Sequence, residues 1–156
     1  MDLKTFFETF AAGIAADSDL QTWANANFSK DAAVYKEVNH NSPPDAEDDS
    51  PFLVLISPAK DSAGDDRTTE YSFGVWLVIY QSGAATRGDD AIEPITVDLI
   101  LDFIEKVKDA IRATLPANFE VRFIEETDTI GAMPEVHGFL DCVFRETVLI
   151  GSNPLD

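Results

Sequence analysis

The chain has 156 residues, 45% of them apolar, with 11 Phe and 2 Trp, which predicts one globular domain over 1–156 with an ordinary core. Its 29 acids against 11 bases give a net charge of −18 and leave no basic run. That balance disfavours bare nucleic acid and anionic membrane surfaces, which are held through Lys and Arg, and favours a protein partner with a basic surface.

Leu3, Phe6, Phe7, Phe10 and Ile14 recur at helical spacing and predict an amphipathic helix capped by Asp2 and ending near Ala16. Asp2 and Glu8 make this stretch a poor signal peptide, and no run approaches the ~20 apolar residues of a membrane span. Ser18 to Gln21 matches a capping box and starts a second short helix that buries Leu20, Trp23, Ala24 and Phe28. Ala32 to Val38 is read as a short strand. The acidic, proline-containing stretch 39–50 then has no apolar residue larger than Ala and is expected to be a solvated loop.

Two β-branched and aromatic runs follow, Phe52 to Ile56 and Tyr71 to Tyr80. They predict neighbouring antiparallel strands joined by a long exposed loop, Ser57 to Glu70. The second run is apolar on both faces, so both must be covered, either by the helical segments 3–28 and 97–115 or by another subunit. The stretch 81–90 is a further polar loop. Val97, Ile100, Leu101, Ile104, Val107, Ile111 and Leu115 form the stripe of the longest helix, widened by Leu99 and Phe103 and stopped by Pro116. Asp98 suits its N-terminal end, and Lys106, Lys108 and Arg112 suit the other. Phe119 to Glu125 alternates as a strand, although Ile124 breaks its outer row; 126–133 is a turn region with Gly131. Val136 to Ile150 is a long strand with Val136, Leu140, Cys142 and Phe144 on its core face and a mixed opposite face. The order α-α-(β)-β-β-α-β-β predicts an α+β fold, a mostly antiparallel sheet of four to five strands with helices packed on it.

Catalytic patterns are missing. There is no G-x-x-x-x-G-K-[ST], no G-x-G-x-x-G and no G-x-S-x-G. The single cysteine, Cys142, allows no internal disulfide and sits on the apolar row, where it reads as an inert buried thiol. The histidines are His40 and His137. The odd spacing of His137 and Cys142 on one strand puts them on opposite faces. Acidic groups at Asp45, Glu47, Asp48 and Asp49 beside His40, at Asp61, Asp65 and Asp66, and at Asp89 and Asp90 lack the EF-hand pattern and are read as solvated surface. Glu125, Glu126 and Asp128 have no pocket pattern around them. No enzyme activity, metal or cofactor is expected. The mixed-charge segment between the two middle strands, with Lys60, Asp61, Asp65, Asp66 and Arg67, is the candidate protein interface.

Three stretches resemble bacteriophage tail-terminator or tail-completion (minor tail) proteins. They are VYKEVNHNSPP, followed by an acidic gap and SPFLVLISP; the polar loop running into TEYSFGVWLVIY; and FEVRFIEETDTIGAMPEVHGFLDCVFRETVLI. The similarity is one of order and pattern over residues 3–150. It implies a structural protein of the virion tail, made in the host cytoplasm, that closes the tail tube as a ring, usually a hexamer. Its implied partners are copies of itself, the tail tube protein and the head-completion protein. It transfers no catalytic residue, and it makes Lys60 to Arg67 an interface loop. The charge also fits a second expectation, an acidic inhibitor or adaptor that masks a basic protein, and a third, an enzyme working through scattered carboxylates.

Overall fold

A computed structural model describes residues 1–38, 41–61, 68–81, 85–87, 92–128 and 134–147. His40, Asp65, Asp66, Arg67, Asp89, Asp90, Gly131 and the expected strand end 148–150 lie outside the described residues. Helix α1 spans Leu3–Ala16, and the Asp2 carboxylate caps it by accepting the Thr5 N–H at 2.9 Å. Helix α2 spans Ser18–Phe28, but its cap is Asp17 rather than Ser18: Asp17 accepts the Leu20 N–H at 2.8 Å. The one-residue shift releases Gln21 from a capping box. Its amide instead donates to the carbonyls of Ala15 and Ala32 and accepts the Ala32 N–H at 2.7 Å, tying the helix pair to the next strand.

Strand β1 is Ala33–Lys36, and a short helix α3 (Ala46–Asp49) follows. The long strands are β2 (Phe52–Asp61) and β3 (Thr68–Tyr80). A separate small pair, β4 (Ala85–Arg87) within the expected polar loop 81–90 and β5 (Ile92–Pro94) after it, precedes α4 (Ile95–Thr114). β6 (Phe119–Asp128) and β7 (Glu135–Thr147) close the chain's main sheet. That sheet is five-stranded in the order β1-β2-β3-β7-β6. Its pairs are antiparallel except β1 with β2, which is parallel and uses the connection containing α3 as its crossover.

The expected loop Ser57 to Glu70 is largely strand. Lys60 pairs with Tyr71 and Asp61 with Glu70, and β3 stays paired to β7 from Thr68 to Tyr80. Polar residues read as loop, but a backbone ladder forms whatever the side chains are: Ala59 to Asp61 are held by β3, past the stretch Phe52 to Leu55 that β1 also pairs. A bulge between Ile56 and Ala59, with Ser57 at φ 52°, absorbs the irregularity.

The main core lies on one face of the sheet, against α1, α2 and α4. Phe6 is fully buried at its centre, stacked on Tyr71 at 4.4 Å and edge-on to Phe144 at 5.0 Å between ring centroids. Trp23 stacks on Phe103 at 5.0 Å. A Cβ at Gly138 would lie 3.0 Å from Ile104 Cδ1, which is why α4 can sit so close to β7. The helical segments therefore do not cover both faces of the sheet, as one sequence reading had it.

Among the described residues, the second face is covered only at one end. Phe52, Val54 and Val78 are buried there beneath Tyr35, Val38, Ala46 and Trp76. The stretch expected to be a solvated loop supplies part of this cover: Ala46 packs on the cluster, and the buried Ser50 hydroxyl accepts the Tyr80 N–H at 3.1 Å. Asp45 makes this possible by capping α3, accepting the N–H groups of Glu47 and Asp48. Among the described residues, no helix is long and apolar enough to cross a membrane.

Lys108, expected to serve the end of α4, is instead buried and bridges Glu105 and Glu125 at 2.7 Å each. Burial works against its charge, but the two carboxylates prevail and hold its pKa above the ordinary lysine value. Lys108→Met keeps an apolar stem of similar length, removes the ammonium that stands 5.8 Å from the Phe123 ring centroid, and leaves two partly exposed carboxylates that water can solvate. We expect it to cost only about 1 kcal/mol at neutral pH. Because the folded pKa is raised, the contribution is complete below the unfolded value of about 10.5 and fades as pH rises through the folded value. Urea unfolding of both proteins at pH 7 and above pH 11 measures the difference, which should shrink at the higher pH.

Candidate interface on the open sheet face

Period-two alternation puts even-numbered residues of β3 and β6 and odd-numbered residues of β7 on the face away from the helices. Beyond the Phe52 cluster, no described residue packs over that face as a further buried cluster, and it is open among the described residues. Register sets its rows: Ile56, Gly74, Asp141 and Ile124 lie side by side across four strands. Trp76, Phe139 and Glu126 form the row on one side, and Ser72, Val143 and Arg122 the row on the other. Gly74 lets Ile56 lean across β3, since a Cβ there would be 3.0 Å from Ile56 Cγ1. Phe139 is 40% exposed and Ile124 47%.

Two adjoining hollows shape the surface. One, of about 340 Å³, lies among Ile56, Ser72, Ile124, Asp141 and Val143. The other, of about 370 Å³, lies among Glu70, Glu120, Arg122, Val143 and Arg145, where Arg145 is bound to Glu70 at 3.0 Å. Both are shallow, with side chains of the sheet as their floor.

At the opposite end Trp76 Nε1–H donates to His137 Nδ1 at 2.9 Å, and His137 Nε2 meets Glu135 Oε1 at 2.7 Å. An imidazole that accepts at Nδ1 carries its hydrogen on Nε2 and donates it to Glu135. His137 is thus a held structural group. Cys142 is on the core face, 1% exposed, with its thiol pushed up to about 12 by burial and then by Asp141. The expected opposition of His137 and Cys142 holds. Among the described residues, no group of three or more His, Cys, Asp or Glu is placed to hold a metal ion.

The structure places two of the five sequence-nominated interface residues. Asp61 is exposed at the end of β2, in register with Glu70 and so on the open face. Lys60 points to the helix side, donating to the Met1 carbonyl at 3.0 Å with its Nζ 5.2 Å from the Tyr71 ring centroid. They do not converge on one surface. The residues that shape the open face, Ile56, Ile124, Phe139 and Val143, were not singled out by sequence. The signal was present in Ile124 breaking an outer row and in the mixed face of the last strand.

The fold and this face define a class: an α+β protein with helices on one side of a mixed five-stranded sheet and a partly apolar open face on the other. No family model matches the chain, and no curated protein matches it. Among solved structures, the chain is similar to a chain of the virion of a native gene transfer agent particle, at 13% identity and a TM-score of 0.48, covering 88% of this chain and 90% of that one. At that identity and score the likeness assigns neither an activity nor a partner.

Proposed function

We propose that this protein is a structural component of a virion that closes a phage tail tube, assembling as a ring, with a single tail-terminator-like domain over 1–156. The observation that carries an assembly role is the open sheet face: large apolar side chains stand exposed where the protein's own helices do not reach. The tail-tube reading is supported by the order and pattern of elements, which resemble tail-terminator proteins. Its partners are then further copies of the chain, the tail tube protein and the head-completion protein, and its place is the virion tail after synthesis in the host cytoplasm. Of Lys60, Asp61, Asp65, Asp66 and Arg67, the last four remain the proposed contact with the tube, with Lys60 tied to the Met1 carbonyl on the helix side at its edge. The acidic surface suits a lumen through which DNA passes without sticking.

Analytical ultracentrifugation tests the ring: a hexamer is expected, either directly or on raising the concentration, and a monomer under all conditions would overturn it. Replacing Asp65, Asp66 and Arg67 by Ser is expected to leave the circular dichroism spectrum unchanged and to abolish capping of purified tail tubes. Normal capping would remove these residues from the interface.

A further inference from the structure

We propose that the open face between β3, β7 and β6 docks a different protein, one that presents apolar side chains ringed by Lys and Arg, and not a second copy of this chain. This deepens the assembly reading and rests on one part of it, that the open face binds protein; it does not need the ring.

Two observations meet here. The first is apolar. The exposed large hydrophobic residues among those described are Met1, Leu101, Ile124 and Phe139, and the last two stand in adjacent rows of this one face. Val143 and Ile56 extend them into a strip floored by the shallow hollow. The second is charge. Glu120, Glu126 and Asp128 border the strip and Asp141 stands within it beside Ile124; among the described residues Arg122 is the one base of this face outside a salt bridge, since Arg145 is bound to Glu70. An apolar centre within a charged rim is the anatomy of a protein-binding patch, and the sign of the rim selects the partner.

A second copy fits badly. Face-to-face packing of identical chains would set acidic rim against acidic rim, on molecules that each carry −18. Edge pairing through β6 would bring the same carboxylates together, and charged edges discourage such pairing. A basic-rimmed partner gains on both counts: its charges are steered to the face, and its apolar side chains replace water over Ile124 and Phe139.

The test uses the full chain and an octapeptide alternating Arg or Lys with Leu, followed by amide and methyl NMR. Shifts are expected to concentrate on Ile124, Phe139, Val143 and the Trp76 indole. The double variant Ile124→Asp with Phe139→Asp alters exposed side chains only and adds two negative charges. Attraction by charge alone would tighten in it; docking on the apolar strip should weaken about tenfold. Shifts spread evenly over the acidic surface, undiminished binding by the double variant, or equal binding of a control peptide with Ser for Leu would each overturn the proposal. So would concentration-dependent shifts of the same residues without peptide, which would make a second copy the occupant. A ring that forms while the peptide fails to bind defeats this inference alone. A monomer that binds the peptide at this face defeats the ring alone.

Discussion

Phe6→Ala is expected to remove about 3–5 kcal/mol of folding stability. Phe6 is fully buried and lies where α1 meets the sheet, with Phe10, Tyr71, Phe73, Phe119 and Phe144 around its ring. These neighbours come from α1, β3, β6 and β7, so no single element can shift to fill the space left behind. Tyr71 is pinned by its hydroxyl, which donates to the Met1 carbonyl at 2.6 Å and so resists collapse into the void. The cost should therefore sit at the upper end of its range. Against a total of ~5–15 kcal/mol for a domain of ordinary stability, the variant would be largely unfolded at physiological temperature if the wild type lies near the lower limit. Urea unfolding should show a lower midpoint with an unchanged slope. Phe139→Ala, on the open face, serves as the internal comparison and should change stability by no more than about 0.5 kcal/mol. A loss below ~1 kcal/mol for Phe6→Ala would mean that α1 does not pack on the sheet as described.

The same contrast explains what could be read from the chain without coordinates. The stripe of α1, the long stripe of α4 and the alternation of β7 were legible because one face of each is buried against a single layer, and burial on one face writes a period into the sequence. The α+β class followed from their order. Three features were not legible. The segment Ser57 to Asp61 read as loop because composition reports solvation, whereas its strand state is set by backbone pairing with Glu70, Tyr71 and Ser72 of β3, which side-chain polarity does not report. The cap of α2 fell to Asp17, because two capping residues in succession leave local signals equal and the position of Gln21 against Ala32 decides. The cover of the second face by Ala46 was hidden because a lone small apolar residue in an acidic stretch carries no period at all. The candidate interface suffered for a related reason. Mixed charge in a segment marked Lys60 to Arg67, while Ile124 and Phe139 become one surface only when β6 and β7 pair.

Gly13→Ala separates two accounts of the α1–α4 crossing. Alanine is the better helix former, and in an exposed position the change would stabilise α1 by about 1 kcal/mol. Here a Cβ would stand 2.6 Å from Thr114 Cγ2 and 3.0 Å from Thr114 Cβ, and closer still to its hydroxyl. That hydroxyl is anchored, donating to the Ala110 carbonyl at 2.9 Å, so the side chain cannot rotate away without breaking a bond. The crowding should cost about 2–3 kcal/mol, outweighing the propensity gain and leaving the variant about 1–2 kcal/mol less stable. Thr114→Ala alone should cost little, since it removes one helical side-chain bond. The double variant is expected to recover the loss, giving a coupling of about 2–3 kcal/mol between residues 101 positions apart in sequence, as contact between them requires. If Thr114 instead moves freely, Gly13→Ala will stabilise the protein and the coupling will vanish. That outcome would place the helices further apart than the structure has them, and would loosen the one layer that leaves the other face of the sheet open.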